Sequence, residues 1–378
     1  MFAFSFTVFV SLFQLLPAAP YRVLDLGGST GVAGLFLGLL TYSSALSAPF
    51  TGAITDRIGQ RRVLIGVSLI LAACSLSYAF INSYRVMLAV VVVHGLFWSG
   101  LLSASSAYMT ATIPESRRAE GLGYWGMASV MAIAIAPALG LWVFHRGWVA
   151  LCLEIAALNL LMTAIAWRLP DDRKSAAADL VNPVDPGNPV KRGLVEWRVV
   201  LLSITLSLVA FGYGGLTSFA SLFADDLGVK PSTVFLTAMA ATILLGRLTL
   251  GRKLDKLGHR RMFLIVMQAP ALGLLALSLA QGRLSMIAAG LIFGAGFGLM
   301  YPAYAAYVIR HVAAHRRGAA FGAIIAAFDT GVGTGSSALG GLIHHFGFRV
   351  GFATAAGLAA LSLPYFLFAE HRLGYKKD

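Results

Sequence analysis

Long apolar stretches alternate with short polar turns along this chain, and within each stretch the apolar residues run continuously rather than every second position. The stretches fall at residues 2–20, 31–54, 63–81, 84–112, 118–144, 147–168, 198–223, 232–253, 261–280, 284–311, 317–343 and 348–369. Each is close to the roughly 20 residues with which a helix crosses the hydrocarbon core of a bilayer. In lipid a helix satisfies its own backbone hydrogen bonds, whereas a barrel strand would read as alternation over about ten residues. The pattern therefore predicts an all-α integral membrane protein with twelve transmembrane helices. Between the sixth and seventh stretches lies a polar segment with Asp171, Asp172, Arg173, Lys174, Pro183, Pro186, Gly187, Pro189, Lys191 and Arg192. It divides the chain into an N-terminal six-helix half (1–168), an extended linker (169–197) and a C-terminal six-helix half (198–378).

One polar turn occurs twice. Gly52-Ala53-Ile54-Thr55-Asp56-Arg57-Ile58-Gly59-Gln60-Arg61-Arg62 is echoed 199 positions later by Gly251-Arg252-Lys253-Leu254-Asp255-Lys256-Leu257-Gly258-His259-Arg260-Arg261. Glycine, acid, base, glycine and a basic pair keep their places, and each copy joins two apolar stretches. The same register pairs Gly95 with Gly294, Tyr108 with Tyr307, Arg117-Arg118 with Arg316-Arg317, and Gly123 with Gly322. A constant offset across six helices implies two pseudo-symmetric halves of like topology, related by an axis along the membrane normal, around a central cavity.

Composition agrees with the pattern: 58% of residues are hydrophobic and 12% charged, against about 25% charged in soluble domains. The net charge of +13 would suit a nucleic-acid partner were it not for its placement. The termini and the turns after spans 2, 4, 6, 8 and 10 hold 22 of the 29 Lys and Arg, and the opposite side holds six. By the positive-inside rule both termini and both repeated turns are expected in the cytoplasm, and the basic balance reports topology. Cys74 and Cys152 lie inside apolar stretches and form no disulfide or zinc pattern. The first stretch lacks a basic leader and a small-residue cleavage site, so it is expected to be a retained helix.

At these residues the chain resembles the major facilitator superfamily. That family's turn between helices 2 and 3, Gly-x-x-x-Asp-Arg-x-Gly-x-Arg-Arg, is matched by Gly52, Asp56, Arg57, Gly59, Arg61 and Arg62, with Gln60 where a basic residue is usual. Arg117 to Tyr124, Tyr301-Pro302-Ala303, and Phe328 to Gly335 are similar to a subgroup of bacterial exporters, the arabinose-efflux-permease and staphylopine-exporter-like proteins. The resemblance implies a secondary transporter of the bacterial inner membrane that moves a small organic solute by alternating access, by proton-coupled efflux. Two departures stand out. The helix-4 arginine associated with proton coupling in drug exporters would fall at Val91, and the helix-5 antiporter motif is reduced to Ala136-Pro137-Ala138-Leu139-Gly140-Leu141. The outward direction thus rests on the subgroup likeness. Proton-coupled uptake of an organic anion bound by Arg247 is the alternative, and a non-transporting sensor is a third.

The repeated turn has a physical logic. Gly52 and Gly251 are expected where two helices approach closely, and Gly59 and Gly258 where the chain reverses. Asp56 and Asp255 would face the positive N-terminal end of a helix in the opposite half. With Arg57, Arg61 and Arg260 they would gate the cytoplasmic mouth; the plainer reading is a loop that only fixes topology. A charge at mid-bilayer costs about 2.5–3.5 kcal/mol on insertion scales and so faces a cavity or a partner. Asp329 stands 12 residues past Arg317, about 18 Å into the eleventh helix. Arg247 stands 8 residues before Asp255, about 12 Å into the eighth. They are expected to form a switched pair, Arg247 holding Asp329 in one conformation and leaving it for substrate in the other, or else a purely structural ion pair. Glu154 on the sixth helix and His94 on the fourth are further candidates for proton coupling; a bond to a neighbouring helix is the plainer role for each. Tyr213 and Tyr301 are candidates for an aromatic cavity wall. Gly121-Leu122-Gly123-Tyr124-Trp125-Gly126 fits a dinucleotide fingerprint in letters but follows no strand. Neither enzymatic chemistry, nor a cofactor, nor a metal is expected. The expected partners are a small-molecule substrate, protons and the lipid bilayer, with no nucleic acid, and the chain is expected to be a monomer.

Overall fold

A computed structural model describes residues 2–112, 118–170, 197–249, 258–312 and 317–374. Gly251, Asp255 and nearly all of the linker lie outside these residues, as do the side chains of Asp56 and Arg247. The described chain is almost entirely helical: α1 (Phe2–Asp25), α2 (Thr30–Ile58), α3 (Gln60–Phe80), α4 (Tyr84–Thr112), α5 (Arg118–Phe144) and α6 (Trp148–Trp167) precede the linker. After it come α7 (Trp197–Asp226), α8 (Val234–Thr249), α9 (His259–Val266 continued by Gln268–Ser278) and α10 (Arg283–Arg310). The last helical stretch, Arg317–Arg372, reverses at Gly347, whose φ of 82° only glycine adopts readily. At 1.5 Å per residue it is about 84 Å long, far beyond one bilayer, so it is α11 (residues 317–346) and α12 (residues 348–372). Among the described residues nine helical segments are long and apolar enough to cross a membrane, the ninth holding both α11 and α12. Two shorter apolar segments, Met131–Phe144 and Val234–Gly246, lie in α5 and α8. The twelve-helix expectation is met.

Local chemistry sets the helix boundaries. The Ser29 hydroxyl accepts the Val32 N–H at 3.3 Å and caps α2. Gly59 (φ 97°) and Gly258 (φ 82°) make the two repeated turns, as their spacing predicts. The ninth apolar stretch differs from a single uninterrupted helix. Pro270 has no N–H to offer the Val266 carbonyl, so the helix restarts at Gln268, and Gly296 of α10 packs against that carbonyl.

The duplication reappears in three dimensions. Gly95 of α4 packs on the Leu40 carbonyl of α2, and 199 positions later Gly294 of α10 packs on the Met239 carbonyl of α8. A methyl at either glycine would overlap that oxygen. Phe36 and Phe235, one offset apart, fill matching places in the two cores.

Among the described residues, contact between the halves on α2 and α11 is confined to one side of the molecule. Gly34 meets the backbone at Ser336 and Gly340, Gly38 meets Ser337, and Thr41 meets Gly333. Ser336 Oγ donates to the Gly34 carbonyl (2.9 Å), and the hydroxyls of Tyr42 and Thr334 share a hydrogen bond of 2.6 Å. Small residues bring the two backbones together here without a Cβ in the way. Further along, towards the repeated turns, Leu46 and Phe50 of α2 are exposed and Gly322 of α11 has open space beside it. Among the described residues the seam is thus closed at the face opposite the repeated turns and parted towards them. At the closed face the Tyr21 hydroxyl of α1 donates to Asp225 Oδ2 of α7 at 2.6 Å.

Candidate functional site

Asp329 lies where the seam parts. Residues 329, 333, 336 and 340 are spaced by four, three and four and so share one face of α11. Gly333, Ser336 and Gly340 spend that face on α2. Asp329 is about 6 Å further along the helix, past the last of those contacts, and faces the gap between the halves. It is half-buried and makes no hydrogen bond or ion pair with any described residue. The expected pair with Arg247 is therefore not seen on the Asp329 side in this conformation; the Arg247 side chain lies outside the described residues.

Aromatic rings from three helices gather around Phe328, the residue before Asp329. Phe328 stands edge-on to Tyr301 of α10, with centroids 5.7 Å apart, and within 6.3 Å of both Phe297 and Tyr213. Tyr213 of α7 stacks on Phe297 at 4.3 Å, and Phe293 continues the stack. Tyr213 and Phe297 are buried, while Phe328 and Tyr301 are half-buried. The Tyr213 hydroxyl is enclosed without a hydrogen-bond partner among the described residues, Thr217 giving its own proton to the Tyr213 carbonyl (2.7 Å). The structure thus brings Asp329, Tyr301 and Tyr213 into one neighbourhood.

His94 and Glu154 lie elsewhere. His94 is buried in the first half beside Tyr78 of α3, with ring centroids 6.0 Å apart and Nδ1 3.4 Å from the Tyr78 hydroxyl. Its counterpart in the repeat is Phe293, a core residue. Glu154 of α6 accepts from the Gln14 amide nitrogen through both oxygens, at 3.2 and 3.3 Å, when that amide is oriented to satisfy both groups. Gln14 is fully buried on α1, so the pair ties α1 to α6 inside one half. The plainer role stated for each residue is the one this geometry fits.

Gly52 was expected at a close helix approach; in this conformation no described atom lies within 4 Å of where its Cβ would be. Arg57 is exposed. Arg61 and Arg260 bind within their own halves. Arg61 reaches the Ala166 carbonyl (3.4 Å) and the Trp167 carbonyl at the end of α6, where a cation also meets the negative end of the helix. Arg260 grips Glu370 of α12 with two parallel bonds of 2.7 Å, and the buried Tyr307 hydroxyl adds a third at 2.5 Å. Tyr108, the counterpart of Tyr307, donates to the Pro170 carbonyl (3.2 Å). These residues anchor each turn to the last helix of its own half.

Sequence reasoning missed Glu370, Tyr21, Asp225, Ser336 and Gln14. Gln14 could have been found as a lone amide in an apolar run. The Tyr21–Asp225 contact spans 204 positions, and no pattern along the chain announces it.

Comparisons with known proteins follow the same lines. The chain matches the Major Facilitator Superfamily over residues 1–333 and 202–377. It is 24% identical over 370 residues to the uncharacterized MFS-type transporter YhhS of Escherichia coli K12, covering 95% of this chain and 89% of that protein. It is 28% identical over 359 residues to an uncharacterized MFS-type transporter of Pseudomonas aeruginosa, covering 92% and 86%. Among solved structures, the nucleoside transporter NupG superposes with a TM-score of 0.74 at 16% identity over 99% of this chain and 98% of that one. The human organic anion transporter MFSD10 gives 0.66 at 17% identity, covering 97% of both. At these identities the structural likeness is one of fold.

Proposed function

Because the chain belongs to the major facilitator superfamily and so is a secondary transporter, we propose that it exports a small organic solute across the bacterial inner membrane in exchange for protons. Both termini and the repeated turns are on the cytoplasmic side in this reading, so the parted seam is a cytoplasm-facing cavity and the Tyr21–Asp225 side is the outer gate. The observation that carries the reading is Asp329: a carboxylate within the apolar length of α11, one turn past the seam contacts, that no described group holds. A buried charge without a partner is costly, which favours binding a proton or a solute in its place. Alternating access then follows from rocking the halves about the α2–α11 seam, so that Asp329 meets one side and then the other.

The test has two steps. An untargeted comparison of metabolites in cells with and without the gene identifies the solute: export predicts that it accumulates inside the deletion strain, and depletion there would reverse the direction. Proteoliposomes holding the purified chain then measure solute movement against a pH gradient. Asp329→Asn is expected to abolish gradient-driven accumulation and to leave downhill solute exchange measurable. Full gradient-driven transport by that variant would remove Asp329 from the coupling step.

A further inference from the structure

The surroundings of Asp329 narrow the class of solute. A carboxylate facing a cavity repels anions, and a neutral polyol would need a ring of donors and acceptors. The rings mapped beside Asp329 offer something else. Phe328 follows directly before it in the chain, Tyr301 stands edge-on to Phe328 at 5.7 Å, and both are half-buried. Tyr213 and Phe297, stacked at 4.3 Å, hold them from behind. Aromatic faces attract cations through the ring quadrupole and bury apolar bodies. One negative charge beside such a wall, with no cation of the described chain already bound to it, is complementary to a positively charged, ring-sized organic molecule.

We infer that the solute is an organic cation with an apolar body, its charge seated at Asp329 and its body against Phe328 and Tyr301. This rests on reading the chain as a transporter with Asp329 in its cavity. The positions that the repeat assigns to the first half are consistent: Val130 is the counterpart of Asp329, so the site belongs to one half and is not doubled.

Two probe ions of the same shape and opposite charge test it. The purified full chain in detergent is titrated with tetraphenylphosphonium and with tetraphenylborate by equilibrium dialysis. Tetraphenylphosphonium is expected to bind saturably and at least tenfold more tightly than tetraphenylborate. Asp329→Asn should weaken the cation at least tenfold while leaving the anion unchanged. Phe328→Leu and Tyr301→Leu should weaken the cation severalfold, and Asp329→Glu should retain it. Equal affinity for the two ions in the unsubstituted chain overturns the inference, and that comparison stands even where a variant fails to fold; so does cation affinity unmoved by Asp329→Asn. Failure of this inference is distinguishable from failure of the transport reading. Cation binding through Asp329 without pH-driven movement would sink the coupling and keep the site. Asp329-dependent export of the solute identified in cells, with no preference for the cationic probe, would sink the cation and keep the coupling.

Discussion

The Tyr21–Asp225 hydrogen bond gives the sharpest test of the closed face. It links α1 to α7 across the two halves at 2.6 Å, and it exists only while that face is shut. Hydrogen bonds to a charged group contribute about 1.5–3 kcal/mol net. Asp225 is 25% exposed and is also held by Lys230 at 2.6 Å, so the contribution falls below that range, to about 1 kcal/mol, as for an ordinary hydrogen bond. Removing it by Tyr21→Phe should raise the ratio of open to closed face about fivefold, since 1.4 kcal/mol is a factor of ten. Lys230 lies in the same half as Asp225 and is 73% exposed, so Lys230→Ala should change the ratio less than twofold.

The assay is the rate at which a cysteine on the seam, Ser337→Cys opposite Gly38, reacts with a membrane-impermeant thiol reagent supplied at the closed face. Cys74 and Cys152 are buried, and the chain without the added cysteine sets the background. Tyr21→Phe should speed labelling about fivefold, and Asp225→Asn should move it the same way. Labelling unchanged in both variants would show that the contact does not bias the conformational equilibrium and that the small-residue seam alone holds the face shut.

Four further outcomes follow from the same geometry. Gly34→Ala places a methyl against the Ser336 carbonyl and should prevent seam closure, raising Ser337→Cys labelling and slowing transport, whereas Gly66→Ala, with open space around it, should do neither. Glu370→Gln leaves the Arg260 charge without its partner and should cost about 3 kcal/mol, at the low end for one member of a buried pair, read as a lower thermal-unfolding midpoint in detergent with unchanged seam labelling. Glu154→Gln should keep gradient-driven transport, because the Gln14 contact is structural; loss of coupling with normal expression would return Glu154 to the list of proton carriers. Reporter fusions near Pro186 and after Lys377 should report cytoplasm and one near Asp225 the outside, with the linker reporting outside overturning the orientation.

The twelve helices were legible because length and continuity of apolar residues are one-dimensional properties, and lipid removes the alternatives to a helix. The reversals at Gly59 and Gly258 were legible for the same local reason. The break in α9 was readable from Pro270 but hidden by the unbroken hydropathy on either side of it. Asp329 stood out because a charge in an apolar run has few explanations. What it faces did not, since that depends on where α2 leaves α11, a property of two helices some 290 positions apart. The contacts of the turn arginines were not legible, because a basic residue beside a glycine reads equally as a gate or an anchor, and the Glu370 that holds Arg260 stands 110 positions later.

The duplication separates scaffold from chemistry. Positions that keep their character in both copies do the same structural work twice: Gly95 and Gly294 admit a neighbouring carbonyl, Phe36 and Phe235 fill a core, and Arg61 and Arg260 anchor a turn. The ionisable residues inside the spans break the repeat. Asp329 answers to Val130, Arg247 to Ala48, His94 to Phe293 and Glu154 to Ala353. Symmetry breaking alone does not make a site, because His94 and Glu154 are satisfied within one half by Tyr78 and Gln14. Asp329 differs in combining a broken repeat, a place on the α11 face that the seam leaves open, and no described partner. A scaffold that rocks as two equal bodies needs matching hinges and anchors, but a solute with one charge needs one counter-charge. By the register of the repeat, residue 130 holds in the first half the place of Asp329 in the second; a second carboxylate there would add repulsion rather than affinity, so Val130→Asp should impair transport more than it helps binding, measured as exchange rate against probe affinity in the same proteoliposomes.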